Sequence, residues 1–228
     1  MIFFLGITIR KSLILLILLI LLILITPILT MTITRISKSL VICGPSGVGK
    51  GTIIGELLKL YPEKLGLSVS HTTRLPRPGE IDGIHYHFVK KEWMEGKIFK
   101  NDENNFFIEY ANVHGNLYGT SRKAVEFVQT QGRLCILDVD VQGVKQIKES
   151  NFLSQYIFIA PPSIQSLEQR LRQRGTENED QVKLRLKNAK LELDYGYTDG
   201  NFDEIIVNEN LSDSVERVSD ICKSLYNM

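Results

Sequence analysis

The sequence predicts an α/β fold: a three-layer core around a parallel sheet, interrupted by an inserted mixed-β subdomain and completed by a helical lid. Three observations predict it. Short apolar runs alternate along the chain with stretches of helical periodicity, the pattern of a parallel sheet covered on both faces. A middle segment from His71 to Tyr118, rich in aromatic and turn residues, breaks that alternation. Late in the chain a long charged helical stretch is broken at Gly175.

Composition fits a globular protein, with 43% hydrophobic and 23% charged residues over 228 positions. A formal net charge of +1 supplies no long-range field to gather nucleic acid or an acidic membrane, so any anion recognition must come from local clusters. Cys43, Cys135 and Cys222 lie far apart without a CxxC pair, which reads as buried thiols in a reducing compartment. Residues 1–30 stand apart. Leu13 to Ile25 is an unbroken Leu/Ile run behind Arg10 and Lys11, short for a bilayer span and lacking the small residues of a cleavage site after it. Two readings stay open: a targeting or anchoring leader, with membrane contact confined to residues 2–29, or a segment upstream of an alternative start at Met31. Secretion is the least attractive fate.

The folded part begins at the β-prone run Leu40 to Cys43. Gly44-Pro45-Ser46-Gly47-Val48-Gly49-Lys50 follows and fits G-x-x-x-x-G-K, the phosphate-binding P-loop. After it, Thr52 to Leu60 has the apolar spacing of a helix, ended by Pro62. Strand, glycine loop and helix in this order are the context that makes the motif meaningful. The glycines let several backbone N–H groups face one phosphate, the helix N-terminus adds partial positive charge, and Lys50 reaches the β- and γ-phosphates. Gly51 stands where Ser or Thr usually supplies a hydroxyl to Mg²⁺, so Thr52 or a water must take that place. Gly66 to Ser70 reads as a second strand, and His85–Val89 and Phe106–Tyr110 as strands of the insertion. Ser121–Gln129 is helical in spacing, and Arg133 to Leu137 is an apolar strand ending in Asp138-Val139-Asp140. Tyr156 to Ala160 and Glu204–Val207 are further strands. Ile164 to Leu193 is helical, and an amphipathic helix starts near Asp213.

Ser70 to Glu80 carries Arg74 and Arg77 on a stretch that Pro76 and Pro78 hold extended, so both guanidinium forks can meet one phosphate. Together with Gly83-Ile84-His85-Tyr86, Phe107-Ile108-Glu109-Tyr110, Gly115-Asn116-Leu117-Tyr118-Gly119, Ile136 to Gly143 and Ile159-Ala160-Pro161-Pro162-Ser163, this segment resembles guanylate kinase, from about Ser39 to the C-terminus. The resemblance implies a P-loop NTPase core over 37–69, 122–164 and 195–228, a GMP-binding subdomain over 70–121 and a lid over 165–194. It implies transfer of the γ-phosphoryl group of ATP to GMP or dGMP in purine nucleotide metabolism, with Mg²⁺.

On that resemblance Arg74, Arg77, Tyr86 and Tyr118 hold the GMP phosphate, and Ser70, Glu109, Thr120 and Asp140 surround the base. Guanine presents adjacent N1–H and N2–H₂ donors that one carboxylate accepts, whereas adenine has an acceptor at N1, so Glu109 would reject AMP. Taken alone, a Glu beside aromatic residues would read as a solvated strand end. Asp138 and Asp140 end an apolar strand and so belong at the carboxyl edge of the sheet; Asp138 is the choice for orienting the metal's water shell and counts, with Asp140, among the GMP-binding residues. Arg170 and Arg174 are four apart on one helix face, and Arg185 follows on the next helix. The resemblance brings these three to the ATP phosphates on lid closure, while Arg172 points elsewhere and Lys183, Lys187 and Lys190 read as solvated charges. Asn208 resembles the family position near the adenine of ATP.

His71, His85, His87 and His114 have no metal-ligand spacing. The strongest rival is a catalytically inactive relative that binds peptides in the old acceptor site, and a second is a kinase for another monophosphate. Gly49-Lys50, Asp138 and the lid arginines are all present, which favours catalysis. A cytoplasmic, monomeric kinase domain is the expectation.

Overall fold

The computed structural model describes residues 38–99, 106–113, 115–150, 152–173, 175 and 178–226. The described residues belong to one compact unit, residues 37–228. The apolar leader and Met31 therefore lie outside the described residues, as do Arg174 and His114. No helix among the described residues is long and apolar enough to cross a membrane.

A five-stranded parallel sheet carries the fold, in the order β2 (Leu65–Leu67), β7 (Leu134–Asp138), β1 (Ser39–Cys43), β8 (Ser154–Ala160) and β9 (Glu204–Val207). Its central strands are buried on both faces, which is why they read as continuous apolar runs. The two-residue period of a strand then divides their side chains between two cores. Leu40, Ile42, Leu134, Ile136, Ile157 and Ile159 face one side, under α1 (Lys50–Leu60) and α7 (Leu211–Tyr226), which contribute Ile53, Leu57, Val215 and Val218. Val41, Cys43, Cys135, Leu137, Phe158 and Ala160 face the other, under α3 (Arg122–Thr130) and α4 (Val141–Glu149), which contribute Val125, Val128, Val144 and Ile147. Three layers result. The three cysteines are buried free thiols inside them.

Between β2 and α3 the chain forms a second sheet in the order β4 (His87–Phe88), β3 (His71–Thr72), β6 (Asn116–Ser121) and β5 (Phe107–Val113). β5 and β6 pair antiparallel with an irregularity between Phe107 and Glu109. The mixed-β reading of this segment needs one addition: α2 (Lys91–Phe99) stands within it. Of its residues only Met94 is buried, so the apolar periodicity that announces a helix is nearly absent. The short α4 was also unannounced: Val144 and Ile147 lie on its buried face at helical spacing, but the helix runs for only 9 residues and holds Gly143, a poor helix former, so the pattern is too brief to stand out. The broken helical stretch becomes α5 (Ile164–Gln173) and α6 (Glu179–Gly196). Asn178 and Gln181 form a capping box that starts α6 afresh.

Candidate active site

The loop from Gly44 to Lys50 joins β1 to α1 at the carboxyl edge of the parallel sheet. Gly49 caps the helix with φ 106°, a left-handed conformation that favours glycine. A Cβ there would stand 2.5 Å from Asn208 Nδ2, and one at Gly44 would stand 2.2 Å from the carbonyl oxygen of Ile159, so the loop lies tight against the β8 and β9 ends. Lys50 folds back over its own loop. Its Nζ donates to the carbonyls of Gly44 at 2.6 Å and Pro45 at 3.4 Å, and lies 3.9 Å from Asp138 Oδ1. The ammonium is thus held over the loop by backbone oxygens and the Asp138 carboxylate, which a phosphate can replace. Burial pushes the Asp138 carboxyl above its ordinary range, while Lys50 pulls it back.

The second sheet supplies the opposite wall. Arg74 makes a bidentate pair with Glu80, at 2.8 and 2.9 Å, and Glu80 also accepts from the backbone N–H of Arg77 at 2.7 Å. These bonds, the one from Arg74 foremost, hold the Glu80 carboxyl below the usual range. The Arg74 guanidinium lies 5.4 Å from the centre of the Tyr86 ring, which meets Tyr118 edge-on. One carboxylate and four aromatic or cationic groups thereby shape a half-buried corner.

Deeper in, Glu109 is 4% exposed on β5, opposite Thr120 of β6. Burial raises its carboxyl to about 7, Thr120 lowers it by hydrogen bonding, and Asp140 and Asp138 raise it further. Ser70 Oγ and Thr120 Oγ1 share a hydrogen bond of 3.0 Å. Asp140 caps α4, accepting from Gly143 N–H at 2.9 Å and from Gln142 Nε2 at 3.0 Å. Its capping role was not visible in the sequence, because α4 was not.

One cleft of ≈ 280 Å³ brings these walls together. It gathers most of the expected positions: Gly44 to Gly47, Gly49 to Gly51, Ser70, Arg74, Arg77, Tyr86, Glu109, Tyr118, Asp138, Asp140 and Arg185. Arg185 reaches it from α6 and donates to Ser46 Oγ. Glu192, also on α6, lines the cleft and was missed; in the run Lys-Leu-Glu-Leu-Asp it reads as a surface charge. Thr120 stands behind Ser70 and Glu109, fully buried, and the Val48 side chain is likewise buried in the core.

Thr52, Arg170 and Asn208 line an adjoining cleft of ≈ 390 Å³ with Gly47, Gly49 and Gln173. Here the Asn208 amide is occupied within the protein: Nδ2 donates to the Val48 carbonyl at 2.8 Å and Oδ1 accepts from Ser214 Oγ at 3.1 Å. Arg170 donates to the carbonyls of Val48 at 3.0 Å and Asn208 at 2.8 Å. Arg172 faces away and pairs with Glu168 and Glu179. Arg174 lies outside the described residues.

A family model described as guanylate kinase matches residues 36–225. Guanylate kinase 1 of Oryza sativa subsp. japonica is 51% identical over 181 residues, which is 79% of this chain and 46% of that protein. This chain therefore spans about half the length of the rice relative. Guanylate kinase of Schizosaccharomyces pombe is 48% identical over 192 residues, covering 84% of this chain and 93% of that one. The human guanylate kinase is 47% identical over 174 residues, 76% of this chain and 86% of the other. The crystal structure of guanylate kinase from Anaplasma phagocytophilum superposes with a TM-score of 0.64 at 32% identity, over 83% of this chain and 86% of that one. With sequence and fold in agreement, the chain belongs to the guanylate kinase family.

Proposed function

We propose that the chain transfers the γ-phosphoryl group of ATP to GMP or dGMP, giving ADP and GDP or dGDP. One observation carries this reading: Lys50 and Glu109 line the same cleft, one on a phosphate loop and one at a buried point suited to a guanine edge. A phosphate oxygen of GMP attacks the γ-phosphorus, the bond from that phosphorus to the β-bridging oxygen breaks, and the electron pair leaves with ADP. No protein nucleophile is needed, only positioning and charge stabilisation.

Lys50 and the loop N–H groups hold the donor phosphates. Arg74, Arg77, Tyr86 and Tyr118 hold the acceptor phosphate, and Ser70, Glu109 and Asp140 face the base, with Thr120 setting the first two. Asp138 marks the boundary between the two substrates. Arg170, Arg174 and Arg185 belong to the lid that shields the transfer from water. Asn208 borders the adenine side, and its two amide bonds make it a support for the loop carbonyl of Val48.

The residues present fit Mg²⁺. Asp138 lines the cleft beside Lys50 and offers a single carboxylate at its phosphate side. That suits an ion that keeps several waters and binds through a carboxylate and substrate phosphates. When bound it would neutralise charge on the phosphate oxygens. Asp138 would hold it through water, and Thr52, which borders the neighbouring cleft, is the nearest hydroxyl in sequence to Gly51.

Following ADP release with GMP, dGMP, AMP and dTMP as acceptors tests the reading. Turnover with guanine acceptors and little with AMP or dTMP is expected; turnover with none of them makes the chain an inactive relative, and preference for dTMP or AMP makes it another kinase. A monomeric kinase domain working in the cytoplasm completes the proposal, with the leader deciding any membrane contact; fractionation and N-terminal sequencing of the mature protein test that part.

A further inference from the structure

Four carboxylates line the main cleft: Glu109, Asp138, Asp140 and Glu192. Three of them have work inside the protein. Glu109 accepts from Thr120, Asp138 faces Lys50, and Asp140 caps α4. Glu192 makes no hydrogen bond or ion pair with another described residue. Burial raises its carboxyl to about 7, with Lys50 lowering it and Asp140 raising it, so it sits in the field of both the phosphate loop and the base wall. A half-buried acid that faces a cleft with no hydrogen-bond donor among the described residues is costly unless a ligand supplies one.

Glu192 is also rigidly placed. On α6 it is flanked by Ala189, 1% exposed, by Leu193, which packs on the second core, and by Gly196, whose Cβ would stand 2.3 Å from the Phe158 ring. It shares a helix face with Arg185, seven residues earlier. This root of the lid cannot swing without unpacking the core.

The donors that a substrate pair could bring here are few. Phosphate oxygens are acceptors and would be repelled. On the guanylate kinase reading, the N1–H and N2–H₂ groups of guanine are taken by Glu109. The ATP sugar and base belong to the neighbouring cleft, whose lining does not include Glu192. The acceptor's ribose hydroxyls remain. We propose that Glu192 accepts a hydrogen bond from a ribose hydroxyl of GMP and is a specificity-determining residue for the acceptor sugar. This deepens the proposed function and rests on it.

The test measures binding of GMP, 2′-deoxy-GMP and 3′-deoxy-GMP to the full chain by calorimetry without ATP or metal, so that a metal-bound water cannot stand in for the hydroxyl. The wild-type protein is expected to bind GMP about tenfold more tightly than one of the two deoxy nucleotides, the weight of one hydrogen bond to a charged group. In Glu192→Ala, GMP should fall to the level of that deoxy nucleotide, whose own affinity stays unchanged and certifies an intact site. Glu192→Gln, which keeps an acceptor oxygen, should retain part of the preference. Equal binding of all three nucleotides by the wild type, or a preference that survives in Glu192→Ala, would overturn the proposal while leaving the guanylate kinase reading in place. If the wild type binds no guanine monophosphate at all, the acceptor site itself is misassigned.

Discussion

The Glu109 carboxylate stands against the backbone of Gly143, so close that a Cβ at that position would lie 2.6 Å from Glu109 Oε2. The first turn of α4 therefore fixes where the buried acid can sit. Gly143→Ala should leave the fold intact, because the far end of a side chain can give way, but it should displace the carboxylate. A misplacement of this kind costs roughly tenfold or more in affinity for GMP, with little change for ATP. Titration of the variant with each nucleotide checks this.

The raised Glu109 carboxyl has a stability consequence with a definite sign. Its pKa goes from 4.5 to about 7 on burial, so between those values the folded protein binds more protons than the unfolded chain. The stability that the protonated form contributes is present below 4.5 and is lost as pH rises through 7. Glu109→Gln should thus raise the Tm at pH 8, by a free energy of on the order of 3 kcal/mol at most, and the gap to the wild type should shrink as pH falls toward 5. Thermal melts of both proteins across that range give the answer; a gap that widens toward acid contradicts it. The same variant should lose GMP turnover by about a thousandfold.

Glu80 ties the acceptor corner together through Arg74 and the Arg77 backbone, with side-chain exposures of 14% for Arg74 and 17% for Glu80. Replacing it by Ala frees the Arg74 fork and loosens the segment that carries both arginines. We expect the KM for GMP to rise about tenfold while kcat moves little, in line with about 1–2 kcal/mol for a charge-assisted, partly buried pair. Steady-state kinetics at saturating ATP separates the two parameters, and an unchanged KM would assign the pair to folding alone.

Among the described residues, Lys50 finds its carbonyl partners within its own loop, at Gly44 and Pro45. Lys50→Ala should keep GMP binding nearly intact and cut turnover by about 10²–10³-fold or more, since it removes a charge aimed at the transferring group. Equal turnover in the variant would move the phosphate site elsewhere.

Much of this was legible in the sequence, for reasons that differ by residue. The central strands announced themselves because burial on both faces demands apolar side chains at every position, as in Leu40 to Cys43. The phosphate loop was legible because only glycine tolerates the φ of 106° at Gly49. By contrast, α2 hid because it buries little beyond Met94, and α4 because its length and Gly143 mask its period. The internal bonds of Asn208, and the lack of a hydrogen-bond donor for Glu192 among the described residues, were illegible, since each depends on neighbours distant in sequence. Spacing along a chain reports which face a residue occupies, not what stands across from it.

The proposed reaction requires donor phosphates and acceptor base to share one cleft between Lys50 and Glu109. A bisubstrate analogue, adenosine and guanosine joined through a chain of phosphates, spans that distance in a single molecule. Its crystal structure with the protein should place the guanine edge on the Glu109 carboxylate and the bridging phosphates under Lys50. A guanosine end lodged outside the cleft lined by Ser70, Arg74 and Tyr86, with the phosphates still on the loop, would contradict the account.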